Sequence, residues 1–124
     1  MDIVISNASD QPIYEQIARQ IQSQIVRGDL EEGELLPSIR RLAKDLQVSV
    51  ITTSRAYDEL ARDGFINMVA GKGCYVAAQN ETLLQERRLK MVEDSLTKGV
   101  EAARDMGMDL TELITLVKVL YREE

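Results

Sequence analysis

Three stretches of this chain carry side chains whose types and spacing suit recognition rather than catalysis. The first is the pair Arg40-Arg41, preceded by Ser38. The second is Ser49-Val50-Ile51-Thr52-Thr53-Ser54-Arg55, a run of hydroxyls and β-branched residues closed by a cation. The third is Gly71-Lys72-Gly73, a lysine between two flexible residues. Thr and Ser can bond bases or phosphates, Arg can grip guanine through two parallel hydrogen bonds, and Ile or Val can touch thymine methyls. A lysine on a glycine turn can reach into a minor groove or lie along phosphates. The chemistry these groups share is contact with a nucleic-acid duplex.

The composition removes most alternatives. The 124 residues include no His and a single Cys, Cys74. Most metal sites need clustered His and Cys ligands, so no metal or cofactor is expected. Ser-His and Cys-His nucleophile pairs are equally excluded. Gly71-Lys72-Gly73 is too short for a nucleotide-cradling loop. One cysteine cannot build a disulfide framework within the chain, which suits a reducing cytoplasm, and Cys74 itself reads as a small hydrophobe. No apolar run approaches the roughly 20 residues of a membrane helix, and the N-terminus lacks the basic region of a signal peptide. A cytoplasmic protein without membrane contact is therefore expected.

The net charge of −6 at first argues against a polyanionic partner. Its distribution argues the other way. Residues 1–35 hold two basic and seven acidic groups, residues 36–76 six basic and four acidic, and residues 77–124 seven basic and ten acidic. The only positive segment is the one that contains all three stretches.

Positioning those stretches requires particular elements. Residues 1–11 read as a short extended arm. Pro12 fits the first position of a helix. Ile13, Ile17, Ile21 and Ile25 then form one apolar stripe over about residues 12–27, ended by Gly28. The acidic stretch Asp29–Leu36 reads as a loop. Ser38 caps a short helix, roughly 38–45, with Ile39, Leu42, Ala43 and Leu46 inward. After the tight connection Gln47-Val48-Ser49, Ser49 can cap a third helix, 50–62, with Thr53, Ala56, Tyr57 and Leu60 inward. Val50, Ile51, Thr52, Ser54 and Arg55 are left outward. Residues 65–69 and 74–77 then read as two strands around the glycine turn. Helix, short helix, tight turn, helix and hairpin, in that order, make a winged helix-turn-helix. The N-terminal half of its third helix is the part that enters a major groove.

Beyond a linker at 78–82, Leu89, Val92, Leu96, Val100, Ala103 and Met106 recur along a helix of about 82–106, with Gly99 a possible bend. Asp109-x-x-Glu112 starts a final helix striped by Leu110, Leu113, Ile114, Val117 and Leu120. Met91, Met106 and Met108 read as gap-fillers in a helical core. Two helices alone make too small a core, so a twofold mate is expected to cover the stripe. Leu89, Val92, Leu96, Val100, Ala103, Leu113 and Val117 are the expected dimer contacts. The fold class is thus mainly α with a small β-hairpin: a winged helix-turn-helix over 1–78, then a helical dimerisation region over 79–124.

Several spaced motifs resemble the GntR family of bacterial regulators. They are Leu36-Pro37-Ser38-Ile39-Arg40-Arg41-Leu42-Ala43, Val48 to Leu60, Asp63-Gly64-Phe65-Ile66 and Gly71-Lys72-Gly73-Cys74-Tyr75-Val76, led in by Pro12-Ile13-Tyr14-Glu15-Gln16-Ile17. The short helical tail is similar to the YtrA-type branch, in which two C-terminal helices serve dimerisation. The resemblance implies a transcriptional regulator, a repressor by preference, that binds a palindromic operator in double-stranded DNA as a homodimer. It implies DNA contact by Arg40, by the hydroxyls of Ser49 and Thr52, and by Gly71, Lys72 and Gly73. Many members carry basic residues where this chain has Val50 and Ser54, which leaves Arg55 as the cation to replace them. It names no effector, operator or target gene. Two other uses remain: a winged helix for protein contacts, which the acidic net charge favours, and a small enzyme, which the missing catalytic groups disfavour.

Overall fold

A computed structural model of the chain describes residues 1–122, which form two compact units divided after Leu84. The first contains α1 (Ile13–Arg27), α2 (Ile39–Leu46), α3 (Val50–Arg62), β1 (Ile66–Val69) and β2 (Gly73–Val76). The chain continues as α4 (Glu81–Asp105) and α5 (Leu110–Arg122). The division lies later than the compositional boundary at residue 78, because residues 79–84 keep their contacts with the first unit.

The aliphatic stripes produce the core of the first unit. Ile17, Ile21 and Ile25 of α1 are buried together with Leu42 and Ala43 of α2 and Leu60 of α3. The inward row of α3 is closed completely: Thr53, Ala56, Tyr57 and Leu60 are all 0% exposed. The two polar side chains of that row are hydrogen-bonded, as burial demands. Thr53 Oγ1 donates to the Ser49 carbonyl at 3.1 Å, and Tyr57 Oη donates to the Pro37 carbonyl at 2.7 Å. The second bond ties α3 to the residue that leads into α2. Burial pushes the Tyr57 hydroxyl far above its ordinary range, with Cys74 adding to the effect, so the group stays a neutral donor. Tyr57→Phe removes the donor and leaves a carbonyl unpaired. It is expected to cost about 1–2 kcal/mol, read as a lowered thermal midpoint.

Helix ends follow the caps foreseen from sequence, with local differences. Ser38 Oγ accepts from the Arg41 N–H at 3.1 Å, and Ser49 Oγ from the Thr52 N–H at 2.9 Å. Pro12 precedes α1 rather than opening it. The turn between α2 and α3 is made by Gln47 in the left-handed region at φ 57°, its N–H and that of Val48 returning to the last carbonyls of α2. A left-handed C-cap is usually glycine.

Two segments read as arm and loop are more structured than their residues suggested. In the arm, Gln20 exchanges two hydrogen bonds with the Val4 backbone at 2.9 and 2.7 Å. Gln16 does the same with Ser6 at 2.8 and 3.0 Å, and Gln24 Nε2 donates to the Asp2 carbonyl at 2.7 Å. Glutamines four residues apart on one face of α1 therefore grip alternate residues of the arm. In the acidic loop, Leu35 pairs with Tyr75, Leu36 N–H donates to the Cys74 carbonyl at 2.8 Å, and Val76 N–H donates to the Glu34 carbonyl at 2.9 Å. The loop lines the outer edge of β2, which is otherwise an open row of backbone groups.

β1 and β2 pair antiparallel with Ile66 opposite Val76 and Val69 opposite Gly73. Gly73 is favoured by its φ of +113°; a Cβ there would also stand 3.1 Å from the exposed Leu35 side chain, which would have to shift slightly. Cys74 is buried on β2, and that burial, followed by the nearby Asp58 charge, raises its thiol pKa. A raised pKa disfavours the reactive thiolate.

In the second unit, α4 runs unbroken through Gly99. The Asp109–Glu112 capping box opens α5, with Glu112 N–H donating to Asp109 Oδ1 at 2.9 Å. α4 itself is capped by Asn80, whose Oδ1 accepts from Leu83 N–H at 2.7 Å.

Candidate nucleic-acid interface

Every residue expected to meet DNA lies in the first unit, and all are exposed or half-buried. α3 presents them because its inward row is spent on the core. Val50 and Ile51 stand exposed at its first turn, and Ile51 is 82% exposed. Thr52 and Ser54 are half-buried at the flanks. Ser49 caps the helix and also donates its hydroxyl proton to Thr52 Oγ1 at 2.8 Å. The Thr52 hydroxyl thus has its oxygen occupied and its proton available for an outside acceptor.

Arg40 and Arg41 are both exposed on α2 but differ in partner. Arg41 pairs with Asp45, four residues on, at 3.6 Å, and Arg40 makes no ion pair among the described residues. Ser38 is exposed, with its oxygen committed to the cap of α2. At the wing, Gly71, Lys72 and Gly73 are exposed. The tip is closed by Lys72 N–H to the Val69 carbonyl at 3.0 Å and by Tyr75 Oη to the Lys72 carbonyl at 3.2 Å. The lysine's backbone is fixed while its ammonium remains in solvent.

Arg55 is exposed on the outward side of α3, where it makes a contact that the sequence did not suggest. Its guanidinium carbon lies 3.8 Å from the centre of the Tyr14 ring, and its Nη2 donates to Tyr14 Oη at 3.2 Å. Tyr14 belongs to α1, 41 residues earlier, so spacing along α3 could not reveal it.

The residues expected at a dimer contact occupy the second unit. Leu89, Val92, Leu96, Val100 and Val117 are exposed and Leu113 is half-buried. Ala103 differs: it is 9% exposed within its own chain and its carbonyl accepts from Met108 at the α4–α5 turn. α4 and α5 do not pack closely along their lengths. Between them opens an apolar groove of about 750 Å³, lined by Leu96, Val100, Leu113 and Val117 among others. Met91 and Met108 line it half-buried, whereas Met106 is exposed at its edge rather than filling a core.

Among the described residues no group of three or more His, Cys, Asp or Glu could hold a metal ion, and no helix is long and apolar enough to cross a membrane.

A short helix, a tight turn and a second helix with one row buried and the other outward, followed by a two-stranded wing, define a winged helix-turn-helix protein. The chain belongs to the GntR family: the model of the bacterial regulatory proteins of that family matches residues 13–76. It is 34% identical over 116 residues to the HTH-type transcriptional repressor YtrA of Bacillus subtilis, covering 94% of this chain and 89% of that protein. A GntR family transcriptional regulator from Listeria monocytogenes superposes with a TM-score of 0.79 at 29% identity, covering 92% of this chain and 97% of that one. The crystal structure of AraR(DBD) in complex with operator ORX1 superposes with a TM-score of 0.55 at 25% identity over 62% of this chain and 96% of that one. The chain is therefore a transcriptional regulator of the YtrA type and not an enzyme.

Proposed function

We propose that the chain acts as a cytoplasmic repressor that binds a roughly palindromic operator as a homodimer. The observation that carries this reading is the two-sidedness of α3. Its inward row is sealed in the core, while Ile51, Thr52 and Arg55 are offered outward beside the helix start, the part that meets base edges in a major groove. Arg40 from α2 and Lys72 from the wing add phosphate or minor-groove contacts on either side.

The second copy is supported by the second unit. α5 has no buried residue, and Leu110, Ile114, Val117 and Leu120 on it are exposed together with the α4 stripe. So large an apolar face is not left to water by a lone domain, and twofold self-association covers it most simply. Two α3 helices would then read half-sites about one helical turn, ~34 Å, apart or more.

The test is footprinting of promoter DNA by the purified chain, with affinity followed against salt. Protection of a twofold-related site, with affinity falling steeply as salt rises, is the expected result. Absence of any protection at low salt, with the protein folded, would favour use of the winged helix for protein contacts. Lys72→Ala is expected to weaken binding to all sequences alike and to lower the salt slope by about one. An unchanged slope would remove the wing from the interface.

A further inference from the structure

The outward cation on α3 is held in an uncommon way. Three other arginines of the first unit stand beside carboxylates: Arg27 by Asp29 at 3.2 Å, Arg41 by Asp45 at 3.6 Å and Arg62 by Glu59 at 3.9 Å, whereas Arg40 stands beside none among the described residues. Those pairs offset the charge. Arg55 is restrained by a neutral ring instead, stacked at 3.8 Å and bonded through Nη2 at 3.2 Å. The Tyr14 hydroxyl also lies 3.4 Å from Glu15 Oε1, a long contact that is compatible with its oxygen accepting from Arg55. The guanidinium is thereby ordered before any ligand arrives, and it makes no direct ion pair among the described residues. A free arginine side chain loses rotamer entropy when it is fixed. Part of that loss has already been taken in the folded protein.

The same geometry limits what Arg55 can grip. Two-pronged reading of guanine requires a pair of parallel N–H groups aimed in the plane of the base. Here Nη2 is turned to the Tyr14 oxygen, and one face of the guanidinium lies on a ring belonging to α1. What remains is a fixed point charge with spare donors at the flank of α3, which suits a phosphate oxygen.

Resting on the DNA-binding reading above, we propose that Tyr14 is a positioning residue that holds the Arg55 guanidinium as a preformed clamp for a backbone phosphate beside the recognition helix. Arg55 in this arrangement sets affinity and register, and leaves base choice to the first turn of α3.

The experiment uses the full chain and a duplex recovered from a random pool by the wild-type protein. Affinity is measured against salt for Arg55→Ala, Tyr14→Phe, Tyr14→Leu and the double variant Tyr14→Leu/Arg55→Ala, with thermal melts alongside. Arg55→Ala should weaken binding about tenfold on the selected duplex and on its single-base variants alike, lowering the salt slope by about one. Tyr14→Leu should lose about three- to tenfold, Tyr14→Phe should stay near wild type because the stack persists, and the double variant should bind no worse than Arg55→Ala. A Tyr14→Leu loss that adds in full to that of Arg55→Ala would overturn the proposal. So would an Arg55→Ala variant that relaxes preference at one base pair without changing the slope. Should Tyr14→Leu fail to fold, Arg55→Lys decides, because lysine keeps the charge but not the planar stack. It should bind within about threefold of Arg55→Ala, and wild-type affinity would reject the clamp. If the wild-type chain recovers no duplex, the DNA-binding reading itself fails. If it recovers one and only Lys72→Ala lowers the slope, the clamp alone fails.

Discussion

Leu96→Glu should leave the chain monomeric. Leu96 is exposed near the middle of the α4 stripe and lines the same groove as Val92, Val100, Leu113 and Val117. If a second copy covers that groove, the substitution enters the interface twice, once from each protomer. Each buried carboxylate without a partner costs several kcal/mol. Even a combined penalty of about 4 kcal/mol weakens association about a thousandfold. Sedimentation at micromolar concentration should therefore show a single chain, while volume-conserving Leu96→Met stays dimeric. The first unit does not contain Leu96, so its helical signal should persist. DNA affinity should fall by about a hundredfold or more, since two half-sites are no longer engaged as one linked event. An intact Leu96→Glu dimer would show that the groove is covered by something else.

How far residues alone reveal such a chain depends on where the information lies. Periodicity is local, and it located α3 at Val50–Arg62 with its four inward residues, the caps Ser38 and Ser49, and the Asp109–Glu112 box. A helical stripe repeats within a few turns, and a cap lies three residues from the amide it binds. Non-local pairings left no such trace. Leu35 is bridged to Tyr75 by a single ladder step, too short for alternation to show, so an acidic loop concealed the third edge of the wing. The arm looked featureless because Gln16, Gln20 and Gln24 grip its backbone, whose bonding groups do not depend on side-chain type. At the site, the outward residues of α3 were legible, but the restraint on Arg55 was not. It comes from Tyr14 in a different helix, and only the packing of α1 on α3 brings the two together. Gln47 illustrates a different limit. Its left-handed backbone is usual for glycine, so a glutamine there gave no sign of the turn geometry.

Arg40 and Arg41 provide the second large effect, because adjacent and chemically identical side chains should behave differently. Both are exposed on α2. Arg41 lies one helical turn from Asp45, at 3.6 Å, so its charge is partly offset in the free protein and would have to be released before meeting a phosphate. Arg40 makes no such pair among the described residues. Its position directly after the Pro37-Ser38 turn is also the one at which the family resemblance places a DNA contact. Arg40→Ala is therefore expected to cost about 1–3 kcal/mol of binding free energy, a loss of about five- to 150-fold. Arg41→Ala should stay within about threefold of wild type, and neither change should alter the thermal midpoint appreciably, since exposed charges contribute little to folding. Titration of a fluorescent operator duplex separates the outcomes. A loss spread evenly over base-substituted duplexes, with the salt slope lowered by about one, assigns Arg40 to a phosphate. A loss that shrinks when one particular base pair is replaced assigns it to a base edge. Equal losses from the two arginines would mean that the Asp45 pair has no bearing on the interface, and that α2 contributes only diffuse positive charge.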